Sequence, residues 1–178
     1  MSSEPAEFSS MNASALTTLM ETYGEDVWNY AYFLARNRAV ADDIAQETFI
    51  RAYKYLHSFR GEASVKTWLL QIARNRWYSY RSTAFVRRVT LKETVGLDLA
   101  VESAEEDFLR QSLSGEVWGL VLSLPRKYRE VLILQAHYGL TMDELAQTLG
   151  VSLSAAKSRL RRARRQMNDL WEKELTPE

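Results

Sequence analysis

The stretch TMDELAQTLGVSLSAAKSRLRRARRQM, residues 141–167, decides how the second half of the chain folds. It reads as two short helices joined at Gly150-Val151-Ser152, a glycine-containing turn of the length found in helix-turn-helix units. The first helix has an apolar face. On the second helix an apolar stripe recurs at helical spacing and is expected to pack against the first. The residues of these two faces are Leu145, Ala146, Leu149, Ala156, Leu160, Ala163 and Met167.

A second stripe on the same helix carries only hydroxyl groups and cations. Its members are Ser154, Lys157, Ser158, Arg161, Arg162 and Arg165. A recognition helix in a DNA major groove needs cations for phosphates and guanine edges, and small polar groups where its backbone comes close. The alternative is a solvated basic helix at a domain end. The preceding amphipathic helix and the turn favour DNA binding.

The composition limits the class of protein. With 178 residues the chain can form one medium domain or two small ones, and 46% hydrophobic residues suffice for packed cores. The absence of cysteine excludes disulfides, zinc ribbons and thiol catalysis. The sequence has no run of ~18 apolar residues, and its start, MSSEPAEFSS, lacks the basic and apolar segments of a secretory signal. We therefore expect a soluble, cytoplasmic protein.

The zero net charge conceals four blocks of alternating sign. Residues 1–50 hold eight acids and two bases, and residues 51–92 hold ten bases and one acid. Residues 93–125 hold seven acids and one base, and residues 126–178 hold ten bases and seven acids. The two separated basic blocks predict two contacts with a polyanion, and the first acidic block predicts a cationic protein partner.

Helical periodicity covers most of the first half of the chain. It predicts helices at residues 16–35, from about Asp42 to Phe59, and from an N-cap at Ser64 to about Arg81. Asp42 is expected to cap the second of these. Three helices of this length predict a compact bundle over residues 11–88.

Beyond the bundle the periodicity fades at residues 83–101, and we interpret residues 89–102 as a flexible linker. The Ser-x-x-Glu pattern that begins at Ser103 is typical of a capping box and predicts the start of a second, four-helix domain at residues 103–175. The sequence thus predicts an all-α chain of two small helical domains, the second containing a helix-turn-helix.

Four motifs occur in order along the chain: DDIAQETF at residues 42–49, KTWLLQIARN at 66–75, LP at 124–125 with REVL at 129–132, and the helix-turn-helix itself. Together they resemble conserved regions 2 and 4 of the extracytoplasmic-function (group 4) sigma factors of bacterial RNA polymerase. The resemblance extends over about residues 14–168. The chain departs from the family pattern at Ser79, where an acidic residue is common, and at Ala155-Ala156, where Thr-Val is usual.

The resemblance implies an alternative sigma factor that binds core RNA polymerase through the β′ and β subunits and directs promoter-specific transcription initiation, often in stress responses. Such a protein recognises −35 DNA as a duplex and −10 DNA as melted strands. The resemblance further implies control by an anti-sigma factor, often membrane-bound, which would occlude the binding faces of this cytoplasmic protein. It implies no cofactor, no metal and no small-molecule substrate.

The same resemblance assigns residues to three contacts. The polar row Asp43, Gln46 and Glu47 would bind the coiled coil of the polymerase β′ subunit. The −10 DNA would contact Arg74, Asn75, Arg76, Trp77, Tyr78, Tyr80 and Arg81, with Asn75 reading a flipped base and the aromatic rings stacking. The −35 DNA would contact Ser154, Lys157, Ser158, Arg159, Arg161, Arg162, Arg164 and Arg165, with Arg159, Arg164 and Arg165 on phosphates. Trp68 is expected in the core. Arg126, Lys127 and Arg129 are candidates for further phosphate contacts, with a solvated basic turn as the alternative.

Nothing in the sequence resembles a catalytic site. His57 and His137 are isolated, without metal-ligand spacing, and residues 105–107 form a charge cluster at a helix start. We therefore expect no enzyme activity. The alternative function is a stand-alone helix-turn-helix transcription regulator whose N-terminal bundle senses a signal or dimerises, and which binds its duplex site without polymerase.

Overall fold

The computed structural model of the protein describes residues 4–91 and 116–175, with side chains over residues 13–85, 87 and 117–174. Within these ranges the chain is helical apart from short turns and contains no strand, which confirms the all-α prediction. The chain divides into two compact units, Met1–Asp98 and Leu99–Glu178. The greater part of the predicted linker, residues 92–102, and the helix start predicted at Ser103 lie outside the described residues.

The first unit contains the predicted three-helix bundle. Its helices are α1 (Glu4–Ala35), α2 (Arg38–Tyr55) and α3 (Val65–Leu91), with a 3-10 turn at Leu56–Ser58 after α2. All three pairs of helices pack against each other. Each helix contributes large apolar or aromatic side chains to the core, among them Val27, Tyr30, Phe33, Ile44, Phe49, Leu69 and Leu70.

Three helix boundaries in this unit differ from the sequence prediction. Helix α1 begins at Glu4 and not at residue 16. Helix α2 begins at Arg38 and is capped by Asn37, whose side chain accepts a hydrogen bond from the Val40 amide at 3.0 Å. The expectation that Asp42 caps this helix is therefore wrong. Asp42 lies inside α2 and accepts a hydrogen bond from Trp28 Nε1 at 2.6 Å, which joins α2 to α1.

Helix α3 begins as predicted and ends later. The Ser64 hydroxyl accepts a hydrogen bond from the Thr67 amide at 3.0 Å, which confirms Ser64 as the N-cap. The helix then continues to Leu91, so the first part of the stretch with fading periodicity is helical and not a linker. Phe85 near this end is exposed to solvent.

The second unit begins, within the described residues, with helix α4 (Glu116–Ser123). Pro125 separates it from α5 (Arg126–Leu132), which passes into a wide π-helical turn at Ile133–His137. The last two helices are α6 (Met142–Leu149) and α7 (Leu153–Leu175). Helix α7 packs on α4, α5 and α6. The fully buried side chains of this core include Val131, Leu134, Leu145, Ala156 and Ala163.

Local chemistry fixes the helix-turn-helix. The Glu144 amide donates to the Thr141 hydroxyl at 3.2 Å, and the Thr141 amide donates to Glu144 Oε2 at 2.9 Å, so a complete capping box starts α6. Gly150 ends α6 at a φ of 64°, a left-handed conformation that glycine adopts without strain. The Ser152 hydroxyl then accepts from the Ala155 amide at 3.1 Å and caps α7. Thr141, Gly150 and Ser152 thus fix where α6 begins, where it ends and where α7 begins.

Candidate functional site

Helix α7 has one buried face and one exposed cationic face, as the sequence predicts. Ala156 and Ala163 are completely buried and Leu160 is 6% exposed. An α-helix turns by about 100° per residue, so the polar stripe lies on the opposite side. Its members Ser154, Lys157, Arg161, Arg162 and Arg165 are exposed, and Ser158 is half-buried. We call these six residues the α7 cationic face.

Two further arginines predicted to contact DNA lie beside this face. Arg159 and Arg164 flank the buried stripe of α7, on either side of it. Arg164 is exposed, and its Nη2 donates to Gln135 Oε1 at 3.0 Å, whereas Arg159 is half-buried. The structure therefore places these two guanidinium groups at the two edges of the α7 cationic face, next to the buried stripe.

The predicted −10 residues are distributed around α3 instead of sharing one face. Asn75 is exposed and points away from the buried side that carries Ala73. On one flank, the Arg74 guanidinium lies over the Tyr78 ring at 4.5 Å from its centroid, and Arg81 follows one turn later. Tyr78 is half-buried and Arg81 is exposed. Asn75 and this flank form one continuous surface.

Arg76 and Tyr80 lie on the other flank of α3, which faces α2. Arg76 forms an ion pair with Glu47 of α2 through its Nη2 atom. Trp77 is half-buried and stacks on Tyr80, with ring centroids 6.0 Å apart and planes 23° apart. Trp77 Nε1 is buried and has no hydrogen-bond partner among the described residues. The structure thus turns Arg76 and Tyr80 away from Asn75.

The three residues predicted to bind polymerase form an exposed row on α2. Asp43, Gln46 and Glu47 recur at helical spacing on its outer side, and none of them is buried. Ile50 continues the row by one turn and is 59% exposed. Ile50 is not among the polymerase-binding residues predicted from the sequence, although its spacing from Gln46 and Glu47 indicates the same face. We call these four residues the α2 row.

A pocket between α2 and α3 joins parts of two predicted sites. One wall carries the first three residues of the α2 row together with Ile44, and the other carries α3 residues. The residues from α3 are Arg76, Ser79, Tyr80 and Thr83. Residues predicted to contact polymerase and residues predicted to contact −10 DNA therefore line the same concave surface.

Arg129 is a predicted phosphate contact that the structure contradicts. Its side chain is buried, and its Nη1 donates to the Leu122 carbonyl at 2.9 Å, near the C-terminal end of α4. A buried guanidinium that caps a helix end cannot reach a DNA backbone. Its neighbour Lys127 is exposed and lies over the Tyr128 ring, and Arg126 is half-buried.

Trp68 and the two histidines are the remaining residues named from the sequence. Trp68 is half-buried and packs on Phe59 with 5.0 Å between ring centroids, so it is directed inward without being fully enclosed. His137 lies edge-on to Trp118, and His57 is exposed. Within residues 4–91 and 116–175 there is no cluster of carboxylate and imidazole groups able to hold a metal ion. The helices of the same residues include none with the length and apolarity to span a membrane.

Comparison with known proteins matches both units. The model of Sigma-70 region 2 matches residues 19–84, and that of Sigma-70 region 4 matches residues 114–167. The RNA polymerase sigma factor YlaC of Bacillus subtilis is 31% identical over 152 residues, which cover 84% of this chain and 88% of the relative. The ECF RNA polymerase sigma factor SigM of the same organism is 28% identical over 160 residues, which cover 90% of this chain and 97% of the relative.

Two solved structures share the fold. The sigma factor RpoE from Bartonella quintana, in complex with the anti-sigma factor NepR, has a TM-score of 0.68 at 22% identity and covers 88% of this chain and 96% of its own. CnrH, in complex with the cytosolic domain of CnrY, has a TM-score of 0.64 at 24% identity and covers 94% of each chain. With regions 2 and 4 both matched, and in the order that the motifs predict, the chain belongs to the extracytoplasmic-function sigma factors of the sigma-70 family.

Proposed function

We propose that this sigma factor directs core RNA polymerase to promoters by contacting −35 duplex through α7, melted −10 DNA through α3, and polymerase through α2. The observation that carries the proposal is the separation of faces on α7. A fully buried alanine stripe holds the helix in its unit, while the α7 cationic face stands free on the other side. Such a helix can enter a major groove without unfolding any of its own core.

At the −35 element, the residues of the α7 cationic face divide by chemistry. Arg161 and Arg162 are suited to guanine edges, since a guanidinium can donate two parallel hydrogen bonds to O6 and N7. Ser154 and Ser158 are small enough to let the helix backbone approach the bases. Arg159, Arg164 and Arg165 would neutralise phosphates, which adds affinity without sequence preference.

At the −10 element, the surface around Asn75 is the one best suited to an unpaired base. An amide both donates and accepts, so Asn75 can read a base edge, and the neighbouring Tyr78 ring offers a stacking surface. Arg74 and Arg81 supply positive charge beside it. Trp77 and Tyr80, on the other side of α3, would act as a second stacking surface or support the first.

For polymerase, the α2 row combines carboxylates with an exposed apolar side chain. Asp43 and Glu47 would orient the complex against a cationic partner, because charge complementarity governs register and encounter. Ile50 would supply the apolar centre that interfaces of moderate size need. The contact should therefore weaken with salt without disappearing.

We further propose that an anti-sigma factor controls this protein. Of the two solved structures that share the fold, RpoE is in complex with the anti-sigma factor NepR, and CnrH is in complex with the cytosolic domain of CnrY. An inhibitor that covers the α2 row or the α7 cationic face would block polymerase or promoter binding directly.

Transcription of fragmented genomic DNA by core polymerase, with and without this protein, tests the proposal. Sequencing of the 5′ ends should reveal starts that require the protein and share sequence motifs at −35 and −10. If no such starts emerge, and the protein alone selects duplex sites tightly, the stand-alone regulator is correct instead. An anti-sigma factor would be identified by its ability to abolish these starts at equimolar concentration.

A further inference from the structure

We infer that Arg76 is shared between the polymerase-binding and DNA-binding functions: Glu47 holds it in the free protein, and polymerase binding to Glu47 releases it toward promoter DNA. This inference rests on the proposed function, because it needs the α2 row to bind polymerase and α3 to bind DNA. It adds a coupling between the two contacts that neither requires by itself.

The geometry places one residue of each predicted set in direct contact. Arg76 on α3 belongs to the −10 set and Glu47 on α2 belongs to the α2 row, and the two side chains form an ion pair. The Arg76 side chain is 23% exposed and that of Glu47 is 49% exposed. Both also line the pocket between α2 and α3, so an approaching partner can reach either group.

The ion pair is weak enough for Glu47 to exchange Arg76 for another cation. Arg76 Nε is buried and has no hydrogen-bond partner within the described residues, so the side-on fork that uses Nε and Nη2 together is not formed. Glu47 is half exposed to solvent, which screens the attraction. Ion pairs of this kind favour the paired over the unpaired state by only about 1.4- to fivefold. A competing charge can therefore displace one partner.

Competition for Glu47 then has a direct consequence for DNA. A cation of polymerase that binds the Glu47 carboxylate replaces Arg76 as its ion-pair partner and repels the Arg76 guanidinium. Arg76 is then left with unused donors on the flank of α3 that faces α2, next to Asn75 in the chain, where a phosphate of the bound strand can accept them. Because binding free energies are reciprocal, DNA bound to Arg76 should strengthen polymerase binding by the same factor.

A double-mutant cycle on the full-length protein tests the exchange. Binding of a short, fluorescein-labelled single-stranded DNA of mixed sequence is measured by anisotropy at low salt for the wild type, Glu47→Gln, Arg76→Gln and the double variant. Asp43→Asn is the matched control, because it removes the same charge from the same row one turn earlier. We expect Glu47→Gln to tighten DNA binding by roughly two- to fivefold beyond Asp43→Asn. This excess should vanish when Arg76 is already glutamine.

Three results of this cycle would overturn the inference. The first is an equal effect of Glu47→Gln and Asp43→Asn, which would indicate general electrostatics. The second is an effect of Glu47→Gln that persists in the Arg76→Gln background. A lowered melting temperature in both single variants with unchanged DNA binding would also reject it, since the pair would then be only a structural tie between helices.

Two further measurements keep this inference separate from the proposed function. Arg81→Gln removes a cation of the −10 surface that does not contact Glu47, so its failure to weaken DNA binding would reject the −10 assignment itself. In the reciprocal arm, Arg76→Gln frees Glu47 and should tighten core polymerase binding in the absence of DNA by about the same two- to fivefold. Unchanged or weaker polymerase binding by Arg76→Gln would overturn the exchange and leave the proposed function intact.

Discussion

Replacing Arg162 by alanine should change how the protein discriminates between −35 sequences while leaving its fold intact. Arg162 is exposed on the α7 cationic face and forms no hydrogen bond, ion pair or ring contact with another described residue. If its guanidinium reads a guanine edge, its removal should cost ~1–3 kcal/mol of discrimination against a wrong base. The preference for the matched duplex should therefore fall by roughly 5- to 150-fold.

Arg164→Ala is the matched control for this prediction. The substitution removes the same side chain from the same helix, but Arg164 lies beside the buried stripe and donates to Gln135. We expect it to lower affinity by a similar factor on every sequence, and to reduce the slope of log affinity against log salt by about one, as a phosphate contact does.

The assay is competition binding of the holoenzyme to duplexes that differ only at the −35 element, followed over a salt series. Arg162→Ala should flatten the ranking of the duplexes, and Arg164→Ala should preserve it. If both variants change the ranking equally, or if Arg162→Ala leaves it unaltered, the division of α7 into a reading face and a phosphate-binding edge is wrong.

Three further outcomes follow from the structure. Glu47→Lys should abolish polymerase binding, measured by native gel shift of the core enzyme. Thermal stability should be nearly unchanged because the side chain is half exposed. A stable variant that still binds polymerase would contradict the assignment of the α2 row to polymerase binding. Gly150→Ala should lower the stability of the second unit by about 1–2 kcal/mol, because its φ of 64° is strained for a residue with a Cβ; an unchanged melting temperature in calorimetry would show that the turn relaxes. Arg129→Met should destabilise the same unit by about 1.5–3 kcal/mol, because it removes a buried charged donor from the Leu122 carbonyl. If the variant melts like the wild type but loses −35 affinity, Arg129 has a role in DNA binding instead.

The elements that sequence predicts best are those governed by contacts close along the chain. The helix-turn-helix is specified locally by the Thr141 capping box, the left-handed Gly150 and the Ser152 cap, together with the apolar stripe of α7. The exposed face of α7 follows directly from that stripe by helical geometry. For this reason the placement of Lys157, Arg161 and Arg162 on a free surface could be predicted without coordinates.

The elements that sequence predicts poorly depend on contacts between distant residues. Asp42 has the chemistry of a helix cap, but its carboxylate is engaged by Trp28 from another helix, and Asn37 caps α2 instead. The extension of α3 beyond Arg81 has little helical periodicity in its sequence, and Thr83, Phe85 and Arg87 on it are exposed, so no apolar stripe signals that the helix continues. The Arg76–Glu47 pair likewise joins two helices and leaves no signal in either helix alone.

Site-specific photocrosslinking of the holoenzyme to promoter DNA tests the central claim most directly. A benzophenone amino acid would replace Ser158 on the α7 cationic face in one protein and Tyr78, on the Asn75 side of α3, in another. Crosslinked bases would be mapped by primer extension. Two separate clusters are expected, duplex bases at −35 from α7 and non-template bases at −10 from α3, each dependent on core polymerase. Crosslinks from both positions to a single site, or crosslinks that form equally well without polymerase, would contradict the assignment of the two units to two promoter elements.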